Sequence, residues 1–487
     1  SYLMKRLPPE ELINKKRVFK NTNVQIIGMM VNSVIGLVTT ALMARYLGSE
    51  GFGKVNIAIV YLSFTGILAG MGYQAILVRE ISKLKEWDEE RINAILTGGL
   101  TLRFFSTFAA IAILGVYLIP SGYQTEFKWQ IMLLSIVHFI NTFDLFDCIF
   151  RSRLKMAYVM LASVSSRLLQ LLLIWGCIQL HLGLTALIGT FIMASLLRSG
   201  MVTILSRRFI RYRFVFNRKV LRFLFRHSLV VGMAGGLWII YYRIDTLMLE
   251  WFKGMEAVGF YNAAFRFIDY AYLLSGMLMN SIYPLMCDRF PGNPEGLRRI
   301  YQKTVDYMAI IGGAISMGIF LGAPLLIEFI FGREYLPALT TLRLFGFIPL
   351  LVFLNNAFGN MMMALGLQGK PFVGMRAAGV LINVGLNLVC IPAFGYNGAA
   401  FATVITELSL LAVVIVIIGR KILFYPSLRN FFLMFAVSLA VFAATISTIN
   451  PLMVAVVSSL VFIIMAAGMC QYDRSELWAT IFMKIRD

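Results

Sequence analysis

Histidine and cysteine are scarce in this sequence: three histidines and five cysteines in 487 residues, with no CxxC pair. That leaves no metal or redox site to read. Charge is also thin, at 14% of residues, and acids are rarer than bases, 24 against 44. No GxxxxGK[ST] motif occurs. The nearest stretch, Gly366-Leu-Gln-Gly369-Lys370-Pro371, fails the spacing and lacks the hydroxyl, so no phosphate-cradling ATPase loop is built in. No Ser/His/Asp set is visible either. The loops opposite the basic side are too short for a catalytic domain, which weighs against a membrane polymerase or ligase. The chain therefore reads as a non-enzyme with no cofactor.

What is abundant is apolar surface, 59% of residues. Apolar runs fall at 22–44, 54–78, 93–119, 129–150, 157–180, 184–206, 227–250, 258–286, 304–330, 341–365, 372–394, 398–419, 430–448 and 452–471. About 20 apolar residues span a bilayer as a helix, so the sequence predicts an all-α integral membrane protein with about fourteen spans. The net charge of +20 invites a nucleic-acid reading, but its distribution argues otherwise. Lys15, Lys16, Arg17 and Lys20 lie before the first run. Basic residues then recur in every second loop, most densely from Arg207 to Arg226, while the alternate loops hold few. Positive residues stay cytoplasmic, so both termini are expected inside the cell membrane. The basic excess is mostly a topology signal, with anionic headgroups as a secondary partner. A chain opening on Ser1 reads as trimmed. No cleavage site follows the first apolar run, so no signal peptide is expected.

An internal echo organises the whole. Gly254-Met-Glu256-Ala-Val-Gly259-Phe-Tyr-Asn262 aligns with Gly48-Ser-Glu50-Gly-Phe-Gly53-Lys-Val-Asn56, and at the same offset Gly276 falls on Gly70 and Thr246 on Thr40. Two halves with a substrate site between them are a known transporter plan. The expected organisation is a cytoplasmic segment 1–21, an N-lobe 22–206, a basic linker 207–226, a C-lobe 227–419, two further helices within 430–471 and a cytoplasmic tail 472–487.

Charged residues inside the spans are the candidate functional groups, because each costs roughly 2.5–3.5 kcal/mol at the centre of a membrane helix and needs partners or a wet cavity. They are Arg103, Asp144, Asp147, Arg167, Arg198, Arg243, Asp245, Arg266, Asp269 and Glu407, with Asp306 and Arg376 near span ends. Arginine matches phosphate oxygens bidentately, so a basic cavity suits an anionic headgroup. The structural alternative is ion pairing. Arg266 and Asp269, three apart, can neutralise each other, whereas Arg243 and Asp245, two apart, point to different sides. Asn32, Asn56, Tyr61, Tyr242 and Asn262 are candidate sugar contacts, and equally ordinary interhelical glue or interface anchors. Gly66–Gly70, Gly232–Gly236 and Gly318–Gly322 have the spacing of close helix packing. Pro284, Pro324 and Pro349 are expected to bend their helices.

The stretch ALMARYLGSEGFGKVNIAIVYLSFTGILAGMGYQAILVREI, with its Ala44-Arg45-Tyr46-Leu47-Gly48 turn, Gly51-Phe52-Gly53, Gly70-Met-Gly72 and Arg79-Glu80, resembles the polysaccharide transporter (Wzx-like) family of the multidrug/oligosaccharidyl-lipid/polysaccharide exporter superfamily. The resemblance implies two six-helix lobes plus two helices, with a central cavity lined by runs 1, 2, 7 and 8. It implies a flippase that moves polyprenyl-diphosphate-linked oligosaccharide to the outer leaflet, alongside other surface-polysaccharide assembly proteins. Arg243 and Arg266 would then meet the diphosphate or an acidic sugar, with Asn32, Asn56, Tyr61, Tyr242 and Asn262 on the glycan. Asp245, Asp269, Glu407, Arg167, Arg103 and Asp144 would couple or gate. Multidrug exporters and lipid II flippases of the same fold are the alternatives; the first run, with no arginine before Arg45, departs from the lipid II flippases.

Overall fold

The structure, a computed structural model, describes residues 9–84, 88–289, 292–367, 369–422 and 424–446. The helix expected at 452–471, the tail 472–487 and the first eight residues of the N-terminal segment lie outside the described residues. Those described form helices and connecting loops, with no strand among them. In chain order the helices are α1 (Pro9–Gly70), α2 (Tyr73–Ser82), α3 (Glu89–Leu118), α4 (Thr125–Ser135), α5 (Val137–Ile140), α6 (Asp147–Ser152), α7 (Met156–Gln179), α8 (Leu184–Ser206), α9 (Arg218–Arg289), α10 (Pro294–Leu326), α11 (Leu339–Phe345), α12 (Ile348–Ala364), α13 (Lys370–Ile422) and α14 (Arg429–Ile446). Among the described residues, eight helices are long and apolar enough to cross a membrane, or nine if α11 and α12, which meet at 42°, count as one span. Only 22% of the apolar window of α3 is buried; so much unburied apolar surface marks lipid as the solvent. The chain is a multi-pass membrane protein.

Three of these helices are each two helices meeting at a glycine. α1 breaks at Gly48 (φ 68°, ψ −179°), α9 at Gly254 (φ 81°, ψ −176°) and α13 at Gly395 (φ 59°, ψ −138°). The first two fall in a region of backbone space that is essentially glycine-only. They are also the first residues of the two repeat segments, so the echo in sequence is an echo in backbone. Asn56 and Asn262, eight residues beyond each break, repeat it in side chains: each donates its amide to the carbonyl four residues back, Asn56 to Phe52 and Asn262 to Val258, at 2.8 and 2.9 Å.

The described chain divides into two compact units between Leu247 and Met248, inside the helix that sequence places at 227–250. In the first unit α1 packs on α7 and α3, and α7 on α8. The beginning of α9 belongs here for a steric reason. A Cβ on Gly232 would lie 2.8 Å from the Met71 backbone, and one on Gly236 2.7 Å from Ile67, so this pair permits close packing as its spacing predicts. The core gathers Tyr73, Leu77, Leu96, Phe150 and Leu224.

In the second unit α10 packs on α12 and α14, and α12 on α13. Gly318 meets nothing within 4 Å, and Gly322 only Leu326 of its own helix; that spacing is not a packing face. Gly312 is one instead, 2.9 Å from Leu350 Cα. The prolines also differ from expectation. Pro324 sits inside α10, and the irregularity follows it, as a π turn at Ile327–Phe331. Pro349 opens α12, at a position where its missing N–H costs nothing. Asp306, expected to reach the membrane edge, is buried and accepts from Gln302 and from Asn430 at 3.1 and 2.9 Å. It thereby fastens α14 to α10.

Candidate functional site

In the first unit the span expected at 129–150 is not one helix. It runs through α4 and α5, a 3-10 turn at Asn141–Phe146, and α6. Residues three apart eclipse one another in a 3-10 helix, which aligns Asp144 with Asp147 toward α8. Arg198 answers both: one Nη is paired with Asp144, and the other donates to Asp147 Oδ2 at 2.9 Å. Ser199 Oγ donates to Asp144 Oδ1 at 2.7 Å, and Arg151 approaches Asp147 at 3.9 Å. Arg103, from α3, interacts electrostatically with Asp144, Asp147 and Arg198, and its buried Nε has no hydrogen-bond partner among the described residues. Buried charges persist when they are paired and hydrogen-bonded; Asp144, Asp147 and Arg198 meet that condition as ion pairs, while Asp147 Oδ1 and Arg151 Nε, like Arg103 Nε, have no hydrogen-bond partner among the described residues. His138, on α5, is satisfied, its Nε2 lying 2.9 Å from Thr65 Oγ1 and 3.0 Å from the Leu62 carbonyl.

The other candidates in this unit are more dispersed. Asn32 donates to Ser163 Oγ at 3.0 Å and ties α1 to α7. Tyr61 is buried, its hydroxyl 3.2 Å from that of Tyr123. Arg167 is exposed and donates to Gln170, one turn along its own helix. On α9, Trp238 stacks on Tyr242 at 5.6 Å, and the Arg243 guanidinium lies 5.0 Å from the Tyr242 ring centroid. A cation over an aromatic face is weakly hydrated and held in position. Asp245 is buried.

In the second unit Arg266 Nη1 donates to Asp269 Oδ2 at 2.9 Å, the i,i+3 pairing that their spacing allows. A second polar cluster joins three helices. Glu407, buried on α13, accepts from Tyr272 of α9 on one carboxylate oxygen and from Asn355 of α12 on the other, both at 2.5 Å. The Asn355 amide also reaches the Glu407 carbonyl at 3.0 Å, and the neighbouring Asn356 donates to Ser275 at 2.5 Å. Farther along α13, Asn387 donates to Asn383 at 3.0 Å, both of them buried. Sequence reasoning singled out Glu407 but passed over these asparagines. The signal for them was polar amides inside the apolar stretches Leu350–Leu354 with Asn355-Asn356, and Ile382-Asn383-Val-Gly-Leu-Asn387, in a solvent where every amide needs a partner. Asn56 and Asn262, proposed as sugar contacts, are buried and engage their own helices.

These arrangements can hold anionic groups with arginine and hold or release a cation at a buried acid. No cluster of three or more His, Cys, Asp or Glu fit for a metal occurs among the described residues. A family model described as polysaccharide biosynthesis protein matches residues 18–289. A putative O-antigen transporter of Escherichia coli is 22% identical over 399 residues, 77% of this chain and 90% of that protein. The uncharacterized membrane protein MJ1068 of Methanocaldococcus jannaschii is 25% identical over 40% of this chain, and the match spans 39% of its own length. Among solved structures, the lipid II flippase MurJ in an inward closed conformation superposes with a TM-score of 0.68 at 16% identity, covering 91% of this chain and 97% of that one. An inward-facing MATE family multidrug resistance transporter of the MOP superfamily superposes with a TM-score of 0.66 at 17% identity, over 82% and 98%. The fold is therefore the one these transporters share.

Proposed function

From the premise that this chain belongs to the polysaccharide biosynthesis protein family, we propose that it is a flippase for lipid-linked glycan. Its substrate is a polyprenyl-diphosphate-linked oligosaccharide of the kind used for surface polysaccharide, carried from the cytoplasmic to the outer leaflet. The observation that carries this reading is the family match over residues 18–289. The likeness to a putative O-antigen transporter across 90% of that protein supports it.

The orientation follows from the basic loops: both termini face the cytoplasm, and Arg207–Arg226 lies at the inner surface. Arg243, held over Tyr242, is the residue we assign to the diphosphate. Arg266 stands in reserve on Asp269 and exchanges that carboxylate for substrate. Coupling is assigned to Glu407. The donors on its two carboxylate oxygens, Tyr272 and Asn355, are both neutral, so binding of a proton or sodium ion changes the charge of the cluster and with it the packing of three helices. Rocking between inward- and outward-open states then follows the repeat plan of such transporters.

Export assayed in cells that depend on this chain tests both assignments. Arg243→Ala is expected to lower export about tenfold, the loss of one charge-assisted hydrogen bond worth roughly 1.5–3 kcal/mol, at unchanged protein level. Glu407→Gln keeps the shape, with its oxygen accepting from Asn355 and its NH2 donating to the Tyr272 hydroxyl, and is expected to remove the response of export to the ion gradient. Full, gradient-responsive export by both variants would refute the assignments.

A further inference from the structure

A cavity of about 940 Å³ opens in the first unit between α3, the 3-10 turn, α8 and the linker that follows α8. Neither the diphosphate nor the coupling assignment uses it. Large apolar side chains line it, Phe104, Phe105, Phe143, Ile204 and Phe214 among them, and these are more than half exposed. Its polar lining is largely closed to a ligand. Thr142 donates to the His138 carbonyl, Ser199 to Asp144, Thr203 to the Ser199 carbonyl and Ser206 to the Thr203 carbonyl. The Tyr212 hydroxyl lies 3.3 Å from Thr97 Oγ1. The wall thus offers hydrocarbon rather than hydrogen bonds. At its rim stands Arg207, exposed and the one charged residue of the lining. Arg208, Arg211 and Arg213 follow, also exposed.

The rim is built, not loose. Asn93 of α3 donates to the Arg211 carbonyl at 3.1 Å and accepts from the Arg213 N–H at 3.2 Å, and Thr97 accepts from the Val215 N–H at 3.2 Å. These contacts hold the arginine-bearing strand of chain against α3, beside the mouth of the cavity. The depth is informative too. Along α8 the lining runs from Leu196 to Arg207, roughly 16 Å at 1.5 Å per residue. That is about half of a 30 Å hydrocarbon core, hence the depth of one leaflet. A substrate chain that must pass between leaflets needs a path of the full height, whereas the lining of this cavity along α8 extends over about half of that height.

We propose that the cavity is a binding site for an anionic glycerophospholipid of the inner leaflet. Its acyl chains occupy the aromatic cavity and its phosphate rests on Arg207 and the arginines of the linker. The site takes a resident lipid rather than the transported one. The inference rests on the orientation given above but not on the transported substrate.

The test uses the full-length purified protein and native mass spectrometry with 1-palmitoyl-2-oleoyl phosphatidylglycerol, the matching phosphatidylcholine and a polyprenyl phosphate as probes. Phosphatidylglycerol is expected to be retained roughly fivefold better than phosphatidylcholine, the contribution of one arginine near an anionic headgroup. Arg207→Gln combined with Arg208→Gln, Arg211→Gln and Arg213→Gln is expected to remove that preference while leaving chain binding. Gly200 lines the cavity, and a Cβ there meets nothing within 4 Å, so Gly200→Leu fills the space without a backbone clash; it is expected to lower retention of both phospholipids about tenfold through lost apolar contact. Thr203→Leu fills the same space should Gly200→Leu not fold. Undiminished phosphatidylglycerol retention by a folded filled variant overturns the proposal. So does displacement of phosphatidylglycerol by equimolar polyprenyl phosphate, which would make this a substrate-chain site. Retention is read on protein alone, and Arg243→Ala is expected to keep it. Failure here and failure of the flippase reading are therefore separate results.

Discussion

Arg198→Ala is expected to destabilise the protein by about 3–5 kcal/mol, the cost of leaving a buried ion pair without one partner. Asp144 and Asp147 are 5% and 0% exposed, and Arg198 is the cation bonded to both. The remaining neighbours replace it poorly. Arg151 stands 3.9 Å from Asp147, beyond hydrogen-bond length, and Arg103 reaches the acids only through the field. Thermal unfolding in detergent, followed by size-exclusion chromatography, reads the loss directly. The companion variant separates charge from shape. Arg198→Met and Arg103→Met combined with Asp144→Asn and Asp147→Asn removes the buried charges of both signs at similar volume and is expected to recover most of the stability, because a buried ion cluster replaced as a whole is often neutral. A single Arg198→Ala protein that melts like the parent would mean that the two acids are not held ionised by this arginine.

The second large effect is expected at Gly398. A Cβ there would run into the carbonyl oxygen and the carbonyl carbon of Cys390. Both are backbone atoms, which cannot rotate aside as a side chain can, so the two arms of α13 must part at the Gly395 break. Gly398→Ala is expected to cost about 1–3 kcal/mol, the range of overpacked sites, and to lower the yield of folded protein in the membrane. Gly254→Ala is the control. Its Cβ meets nothing within 4 Å, so it carries only the backbone penalty of its glycine-only conformation, about 1–3 kcal/mol. Equal melting of Gly398→Ala and the parent would contradict the close approach.

The fold was legible wherever it depends on solvent. Runs of apolar residues became helices because a bilayer permits little else. The repeat was legible because Gly48 and Gly254 are backbone requirements, and a glycine-only conformation leaves the same letter each time it is used. Gly395 was not seen as a third break: its segment, Gly395-Tyr-Asn-Gly398, lacks the acid by which the first two were matched. Pairing was legible only within a helix. Arg266 and Asp269 declared themselves by spacing, whereas Arg198 with Asp144 and Asp147 needed a 3-10 turn that no periodicity announces. Tyr272, Asn355 and Glu407 come from three helices, and only packing brings them together. The same limit hid the cavity beside α8, whose hydroxyls look available in sequence and are engaged in the fold.

The central claim is lipid-linked glycan transfer, and the most direct measurement is lipid mass spectrometry with leaflet-resolved labelling on cells from which this chain has been removed. The account predicts that a polyprenyl-diphosphate oligosaccharide accumulates on the cytoplasmic leaflet and disappears when the chain is restored. An unchanged lipid-linked glycan pool, evenly accessible from the outer side in its absence, would contradict it.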